Sequence, residues 1–460
     1  MPEFVRQTRL EHPRDEVFAW HTRPGALTRL TAPGPGSARR EVPALVAGET
    51  ADLVVAGVPG TGGAVGFAWR ARTVEVVAPE SFTDVMESGP MASWHHRHQF
   101  DDVDGGTLIT DTITYEPPTR LLPRETVESQ LHRLWDFRAR QLVDDLAFHA
   151  THREPRTIAV TGASGLVGRQ LTALLGGGGH RVVRLVRGGT TGDDTIGWDP
   201  SRGELDPEAL RGVDVVVHLG GEPIGRPFTA GHKRRVLSSR VDSTRLLAEA
   251  LAELAADGRD RAFVVASAAG WYGAAASTGQ DAPALTEDEP AADDFLGRVC
   301  RAWEAAADPA REAGVRTVHV RTGIVQSAGG GPLMLQWPLF LAGLGGALGR
   351  GDNWLSWITL DDLVRLYAHV ALTDGLAGPV NAVAPNPVTG QDHSRAVARV
   401  LRRPSVVRVP PVALAAMLGP EGAQQLALAS QRLSADRALS WGVRFSHPDL
   451  RRGLAHVLCR

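Results

Sequence analysis

The run TIAVTGASGLVGR, residues 157–169, narrows the fold of this chain more than any other stretch. A β-branched apolar segment meets a helical one across Gly162, Gly165 and Gly168. Glycines at that spacing allow a tight turn, a close approach of backbone to a diphosphate, and close packing of helix on strand. The helix N-terminus behind them offers free N–H groups and a partial positive charge. Downstream, RVVRLVR, VDVVVHLG, AFVVASA and RTVHVRTG alternate with helical patterns. Apolar strands alternating with helices read as a Rossmann-type, doubly wound, mostly parallel α/β sheet. A dinucleotide is therefore expected at the glycine loop.

The strand after the first helix reads RVVRLVRGG. In NAD sites this strand ends in an acid that binds the ribose 2′-hydroxyl; here it carries Arg184 and Arg187 and no acid. A cation at that end suits a 2′-phosphate, so NADP is expected ahead of NAD. Arg187, at the strand tip, is the expected contact, and Arg184 reads as a strand surface residue.

Before residue 152 the pattern changes. VGFAWRARTVEVV, SWHHRHQF and TLITDTITYEPP are short alternating runs separated by turn signals such as DDVDGG, which predicts an antiparallel sheet. TVESQLHRLWDFRARQLVDDLAFHA then predicts a long helix, with Leu131, Leu134, Trp135, Phe137, Leu142 and Leu146 on one broad apolar face. From about residue 404 the chain is helical and arginine-rich. A length of 460 residues exceeds a single core, and the three characters divide it into 1–150, 156–400 and 401–460.

A net charge of −3 gives no electrostatic case for nucleic acid or an anionic membrane. Residues 331–349 are uncharged, but Pro338 and internal glycines break any continuous span, so a buried helix and a glycine-rich loop are expected. Two cysteines, Cys300 and Cys459, and an N-terminus without an apolar core favour a reducing, cytoplasmic setting. SWHHRHQF invites a metal reading, because His96 and His98 share a strand face. No third ligand with metal spacing follows nearby, so polar residues facing outward from an ordinary strand are expected, and no metal.

Residues 157 to the C-terminus resemble a known family. TGASGLVGR, VVVHLGGEPIG, HKRRVLSSRVDSTRLLAEAL, ASAAGWYG, LTEDEP, FLGRVCRAWEAAA, VRTGIV and GLGGALGRGDNWLSWITLDDLV occur in the order of the atypical short-chain dehydrogenases, specifically the "epimerase family" branch. The closing segment, LRRPSVVRVPPVALAAMLG onward, is similar to that branch's C-terminal helical extension. Residues 1–150 resemble a helix-grip, START-like domain of the polyketide-cyclase type, through HPRDEVFAWHTRPGALTRL, ESGPMASWHHRHQF and the final helix. That resemblance implies an α+β domain with a curved sheet around a long helix and an apolar ligand between them. Two positions depart from the branch: Thr359 in WITLDD where His is frequent, and Phe228 where Trp is frequent.

The resemblance implies cofactor contacts from Gly162, Ser164, Gly165, Leu166, Gly168, Arg187, Leu219, Gly220 and Arg240, the last in place of a supporting asparagine. It also implies a Tyr-x-x-x-Lys pair, since a nearby cation brings a phenol toward neutral pH. The chain has none: Lys233 is its only lysine, and Tyr115, Tyr272 and Tyr367 are followed at i+4 by Thr119, Ala276 and Ala371. Leu296 and Cys300 fall on the tyrosine and lysine positions. Cys300 reads as a small buried residue rather than a nucleophile. Ser267, at the family's serine position, and Tyr272 remain as catalytic candidates. The expected function is an NADP-dependent oxidoreductase or epimerase-like protein acting on a small molecule; the alternative is a catalytically silent NADP-binding sensor or scaffold.

Overall fold

The computed structural model describes residues 1–40, 45–117, 119, 123–189 and 192–460; Pro118, in the TYEPP run, lies outside them. Seven strands form the first sheet: β1 (Glu3–Leu10), β2 (Ser37–Arg40), β3 (Thr50–Val55), β4 (Phe67–Val77), β5 (Ser81–Ser88), β6 (Ser93–Val103) and β7 (Gly106–Glu116). They lie in the order β1-β7-β6-β5-β4-β3-β2, every pair antiparallel. In β7, Thr107, Ile109, Asp111, Ile113 and Tyr115 are buried and the residues between them less so, the period of two that points alternate side chains inward.

The helix Arg124–Ala150 crosses the inner face of this sheet. Leu131 and Trp135 pack with Phe4, Ile113 and Tyr115, and Leu142 and Leu146 with Phe18, Phe82 and Phe100. The helix-grip architecture is present. Phe137 belongs to a different face than expected: its ring stacks on His456 at 4.7 Å, and it packs with Ala32 and Cys459. The helix is therefore apolar on two sides, because it is sandwiched between its own sheet and the C-terminal lobe.

His96 and His98 also correct the sequence reading. They are 6% and 4% exposed and face the interior beneath the long helix, while His95 is exposed. Burial pushes the His98 imidazole down to about 3, helped by the neighbouring His96 and opposed by Asp111.

The second sheet comprises β8 (Thr157–Thr161), β9 (Arg181–Val186), β10 (Thr195–Gly197), β11 (Val215–His218), β12 (Ala262–Ala268), β13 (Arg316–Thr322) and β14 (Gly378–Ala382). Its order is β10-β9-β8-β11-β12-β13-β14, all parallel. Helices cover both faces, which is why its central strands read as unbroken apolar runs. Ile158, Val160, Val217 and Val264 pack against the helices Leu166–Gly177 and Leu360–Leu372; Ala159, Val216 and Phe263 pack against Ala230–Leu254. The chain order reverses between β8 and β11, the place where open α/β sheets bind ligands beyond the carboxyl ends of their strands. The segment 331–349 forms the helix Gly331–Leu341, burying Leu333, Trp337 and Phe340, and then a glycine-rich loop. Among the described residues no helix is long and apolar enough to cross a membrane.

The two sheets are joined by more than the connection at 151–156. The short helix Ala26–Leu30 lies on the helix Leu166–Gly177 so closely that a Cβ on Gly25 would come within 2.4 Å of the Ala173 carbonyl oxygen. Arg29, fully buried, bonds both Asp145 oxygens at 2.7 and 2.9 Å, Asp361 at 3.0 Å and Gln170 at 2.8 Å. Arg365 reaches Asp145 at 3.1 Å and His456 reaches Asp361 at 3.1 Å. One buried ion network thus ties together all three regions of the chain.

Candidate functional site

The glycine loop is built as its spacing requires. Gly162 has a φ of 65°, in the left-handed region that disfavours side chains. A Cβ on Gly168 would lie 2.2 Å from the Gly162 carbonyl oxygen, so this residue seats the helix on the loop. Gly165 caps the helix Leu166–Gly177, and no side chain satisfies that N-terminus. Beside it opens a cleft of about 1340 Å³ at the β8/β11 reversal.

Of the expected cofactor residues, Gly162, Ser164, Gly165, Arg187, Leu219 and Gly220 line the cleft, whereas Leu166, Gly168 and Arg240 do not. The Leu166 side chain turns away and packs over Gly329 and Gly330. Arg240 donates to the carbonyls of Glu222 and Val236 at 3.1 Å each and lies over the Trp303 ring at 4.9 Å. It supports the 219–222 loop from behind.

Five arginines line the cleft: Arg181 and Arg184 from β9, Arg187 just past its end, Arg169 from the glycine-loop helix and Arg235 from the helix Ala230–Leu254. Arg181 is paired to Asp194, and Arg235 lies 3.7 Å from Glu222. Arg169 was missed by reading the strand end alone, although it follows Gly168 directly in sequence. On the opposite wall, the Thr161 hydroxyl accepts from the amides of Leu219 and Gly220 at 3.0 and 3.2 Å and donates to His218 Nδ1 at 2.7 Å. His218 Nε2 meets the Ser243 hydroxyl at 2.9 Å, and burial pushes this imidazole down to about 3, keeping it neutral. Pro24, Gly25 and Thr28 of the first sheet's domain also line the cleft.

The catalytic candidates sit elsewhere. Ser267 donates to Glu304 Oε1 at 2.7 Å, Arg321 grips both Glu304 oxygens at 2.9 and 3.0 Å, and the Tyr272 hydroxyl donates to Asn381 Oδ1 at 2.7 Å. Arg321 also donates to the Tyr272 oxygen at 3.3 Å, joining the two candidates in one buried network. Neither lines the cleft. Burial pushes the Tyr272 phenol up to about 12 despite Arg321 and Asn381. Glu304, Arg321 and Asn381 were not singled out from the sequence; the one signal for Glu304 was a carboxylate on the buried side of FLGRVCRAWEAAA.

The tyrosine and lysine positions are apolar. Leu296 packs with Phe295, Val299, Val236, Phe228 and Leu426. Its backbone amide donates to Gln425 Oε1 at 3.0 Å, so the C-terminal lobe covers it. Lys233 pairs with Glu421 at 2.7 Å. Cys300 lies 3.7 Å from the Ala268 carbonyl oxygen, and burial, aided by Glu304, pushes its thiol up to about 12. This helix packs; it does not present a proton donor.

Comparison with known proteins agrees with that geometry. The family described as "NAD dependent epimerase/dehydratase family" matches residues 158–382, and "Domain of unknown function (DUF1731)" matches residues 409–457. The epimerase family protein Mb2239 of Mycobacterium bovis is 36% identical over 304 residues, 66% of this chain and 98% of that protein. The chain belongs to the NAD dependent epimerase/dehydratase family. The crystal structure of the nucleoside-diphosphate sugar epimerase from Corynebacterium glutamicum covers 99% of this epimerase-family chain and 90% of its own, at 36% identity and a TM-score of 0.80. Human epimerase family protein SDR39U1, crystallised with NADPH, covers 65% of this chain and 98% of its own, at 28% identity and a TM-score of 0.56. The first match, at 99% of this chain, extends over the N-terminal sheet domain; the second covers about two thirds of it.

Proposed function

We propose that this epimerase-family protein binds NADP in the cleft and acts as an oxidoreductase or epimerase-like enzyme on a small molecule. The observation that carries the cofactor choice is the end of β9. It brings Arg184 and Arg187 to the cleft. The acid beside Arg184, Asp194, is paired with Arg181 at 3.2 Å, and neither Arg184 nor Arg187 has a side-chain hydrogen-bond or ion-pair partner among the described residues. The glycine cradle fits the diphosphate, since the closeness of Gly168 to Gly162 leaves no space for a side chain. The NADPH bound by the human relative supports the same choice. When bound, the cofactor supplies hydride transfer at its nicotinamide. The chain's part is to hold it through Gly162, Ser164, Gly165, Leu219 and Gly220 and to read the 2′-phosphate with Arg187.

The missing Tyr-Lys pair shapes the rest of the reading. Ser267 and Tyr272 donate their protons to Glu304 and Asn381, so they organise the carboxyl ends of β12 and β14. Proton movement then falls to water or to the substrate. We read residues 1–150 as a START-like module for an apolar small molecule, 156–400 as the NADP-binding domain and 401–460 as its helical extension. The engagement of Ser267, Tyr272 and Cys300 favours a second reading, a silent NADP-binding sensor.

Turnover separates the two. The full chain with NADPH and a panel of carbonyl compounds is expected to lose dihydronicotinamide absorbance with at least one of them, at the same rate in Cys300→Ala. Tight NADPH binding without turnover on any compound would favour the sensor. Activity lost in Cys300→Ala would return the helix Phe295–Ala305 to the chemistry.

A further inference from the structure

The interior of the N-terminal domain holds three side chains of a kind that helix-grip packing does not need. On adjacent strands His98 stands directly opposite Asp111, and His96 shares their face two residues away. All three are buried, at 6%, 4% and 7% exposure for His96, His98 and Asp111. His96 Nε2 and His98 Nδ1 converge on the same oxygen, Asp111 Oδ1, at 2.8 and 2.9 Å. The potential donor atoms of the three residues lie within 4.8 Å of one another.

We infer that His96, His98 and Asp111 form a binding site for one divalent first-row transition ion, with zinc the first to test. Two imidazoles and one carboxylate on one face suit such an ion; magnesium and calcium call for more oxygen donors. Metal–nitrogen and metal–oxygen bonds of about 2.0–2.2 Å set ligand atoms roughly 3.3–3.6 Å apart in a tetrahedron. Moving the Asp111 carboxylate by about half an ångström therefore opens the space, with the backbone of both strands in place. The surroundings are those of a supported ligand set. Asp84, opposite His96 on β5, lies 3.8 Å from His98 Nε2, the ring nitrogen left over when Nδ1 ligates, and is itself held by Thr73 at 2.7 Å. A carboxylate hydrogen-bonded behind a ligating histidine fixes its orientation, and Asp84 stands within a shift of under about 1 Å of that contact. Arg138, on the long helix, acts on both Asp84 and Asp111 and is the charge that an incoming ion meets. The fourth position faces the space between sheet and helix, where the Trp135 ring lies 5.3 Å from that of His96. Sequence spacing hid this set because its third member comes from the neighbouring strand.

The test uses the full-length protein stripped with a chelator. Titrated Co²⁺ is expected to saturate at one equivalent per chain with visible d–d bands that Zn²⁺ displaces and that His96→Gln and Asp111→Asn remove. His95→Gln, on the exposed face of the same strand, should leave uptake unchanged. No bands in the folded parent at millimolar Co²⁺, or bands that persist in both variants, would overturn the site and leave a hydrogen-bonded triad. Should a variant not fold, the parent decides: Co²⁺ must shift the imidazole resonances of His96 and His98, and shifts confined to other histidines would equally reject the proposal.

Discussion

Arg29→Ala is expected to destabilise the protein by about 3–5 kcal/mol, the scale seen when one member of a buried ion pair is removed and its partner is left charged. Burial opposes the Arg29 cation, yet Asp145 and Asp361 outweigh it and hold the group more firmly protonated than usual. Burial likewise opposes the Asp145 and Asp361 charges, but Arg29 holds both carboxyls below the ordinary range, with His456 and Arg365 assisting at Asp361 and Arg365 at Asp145. The surviving partners set the upper end of the loss. The pH dependence has a definite sign. Carboxylates with depressed values contribute stability that is present above the ordinary value, about 3.9 for Asp, and is lost as pH falls through the depressed one. The gap between parent and variant should thus be full at neutral pH and narrow in strong acid. Denaturant midpoints of the full chain across that range measure it. A loss below about 1 kcal/mol would mean that the network does not join the regions, the level of an exposed pair.

Gly165→Val should leave the fold and remove the cofactor. Gly165 has an ordinary extended conformation, φ −73° and ψ 175°, and an added Cβ meets only the Gly162 carbonyl oxygen, at 3.2 Å. A shift of a few tenths of an ångström accommodates it. The branched methyls, however, would stand over the helix N-terminus, where the diphosphate must approach the backbone. A loss of at least about a hundredfold in NADPH affinity, some 2.7 kcal/mol, is expected with little change in melting. Gly168→Ala is the contrasting variant: its Cβ at 2.2 Å from backbone should damage the loop itself. Gly165→Val protein that binds NADPH within a few-fold of the parent would show that the diphosphate lies elsewhere.

These two sites differ in how far they could be read from sequence. The glycine loop is local: three residues, one strand and one helix within TIAVTGASGLVGR carry the whole argument. The parallel sheet was legible for a related reason, since strands buried on both faces must be apolar throughout. The ion network was not, because Arg29, Asp145 and Asp361 are far apart in sequence and look like surface charges on amphipathic helices. Phe137 fell on a helix stripe that periodicity treats as one face, whereas the sandwiched helix has two. Ser267 stood where the family keeps its serine, but its partner Glu304 comes from another element, and only tertiary structure reveals that the hydroxyl is engaged. His96 and His98 were read outward because alternation gives a strand two faces without saying which is buried.

The arginines at the end of β9 are expected to select NADP. Direct titration of the full chain with NADPH and NADH, repeated on Arg187→Ala, tests it most simply. A charge-assisted contact of about 1.5–3 kcal/mol predicts NADPH binding roughly ten- to a hundredfold tighter than NADH in the parent. Arg187→Ala should lose most of that preference by weakening NADPH while leaving NADH nearly unchanged. Equal affinities in the parent, tighter NADH, or equal losses of both cofactors in the variant would contradict it.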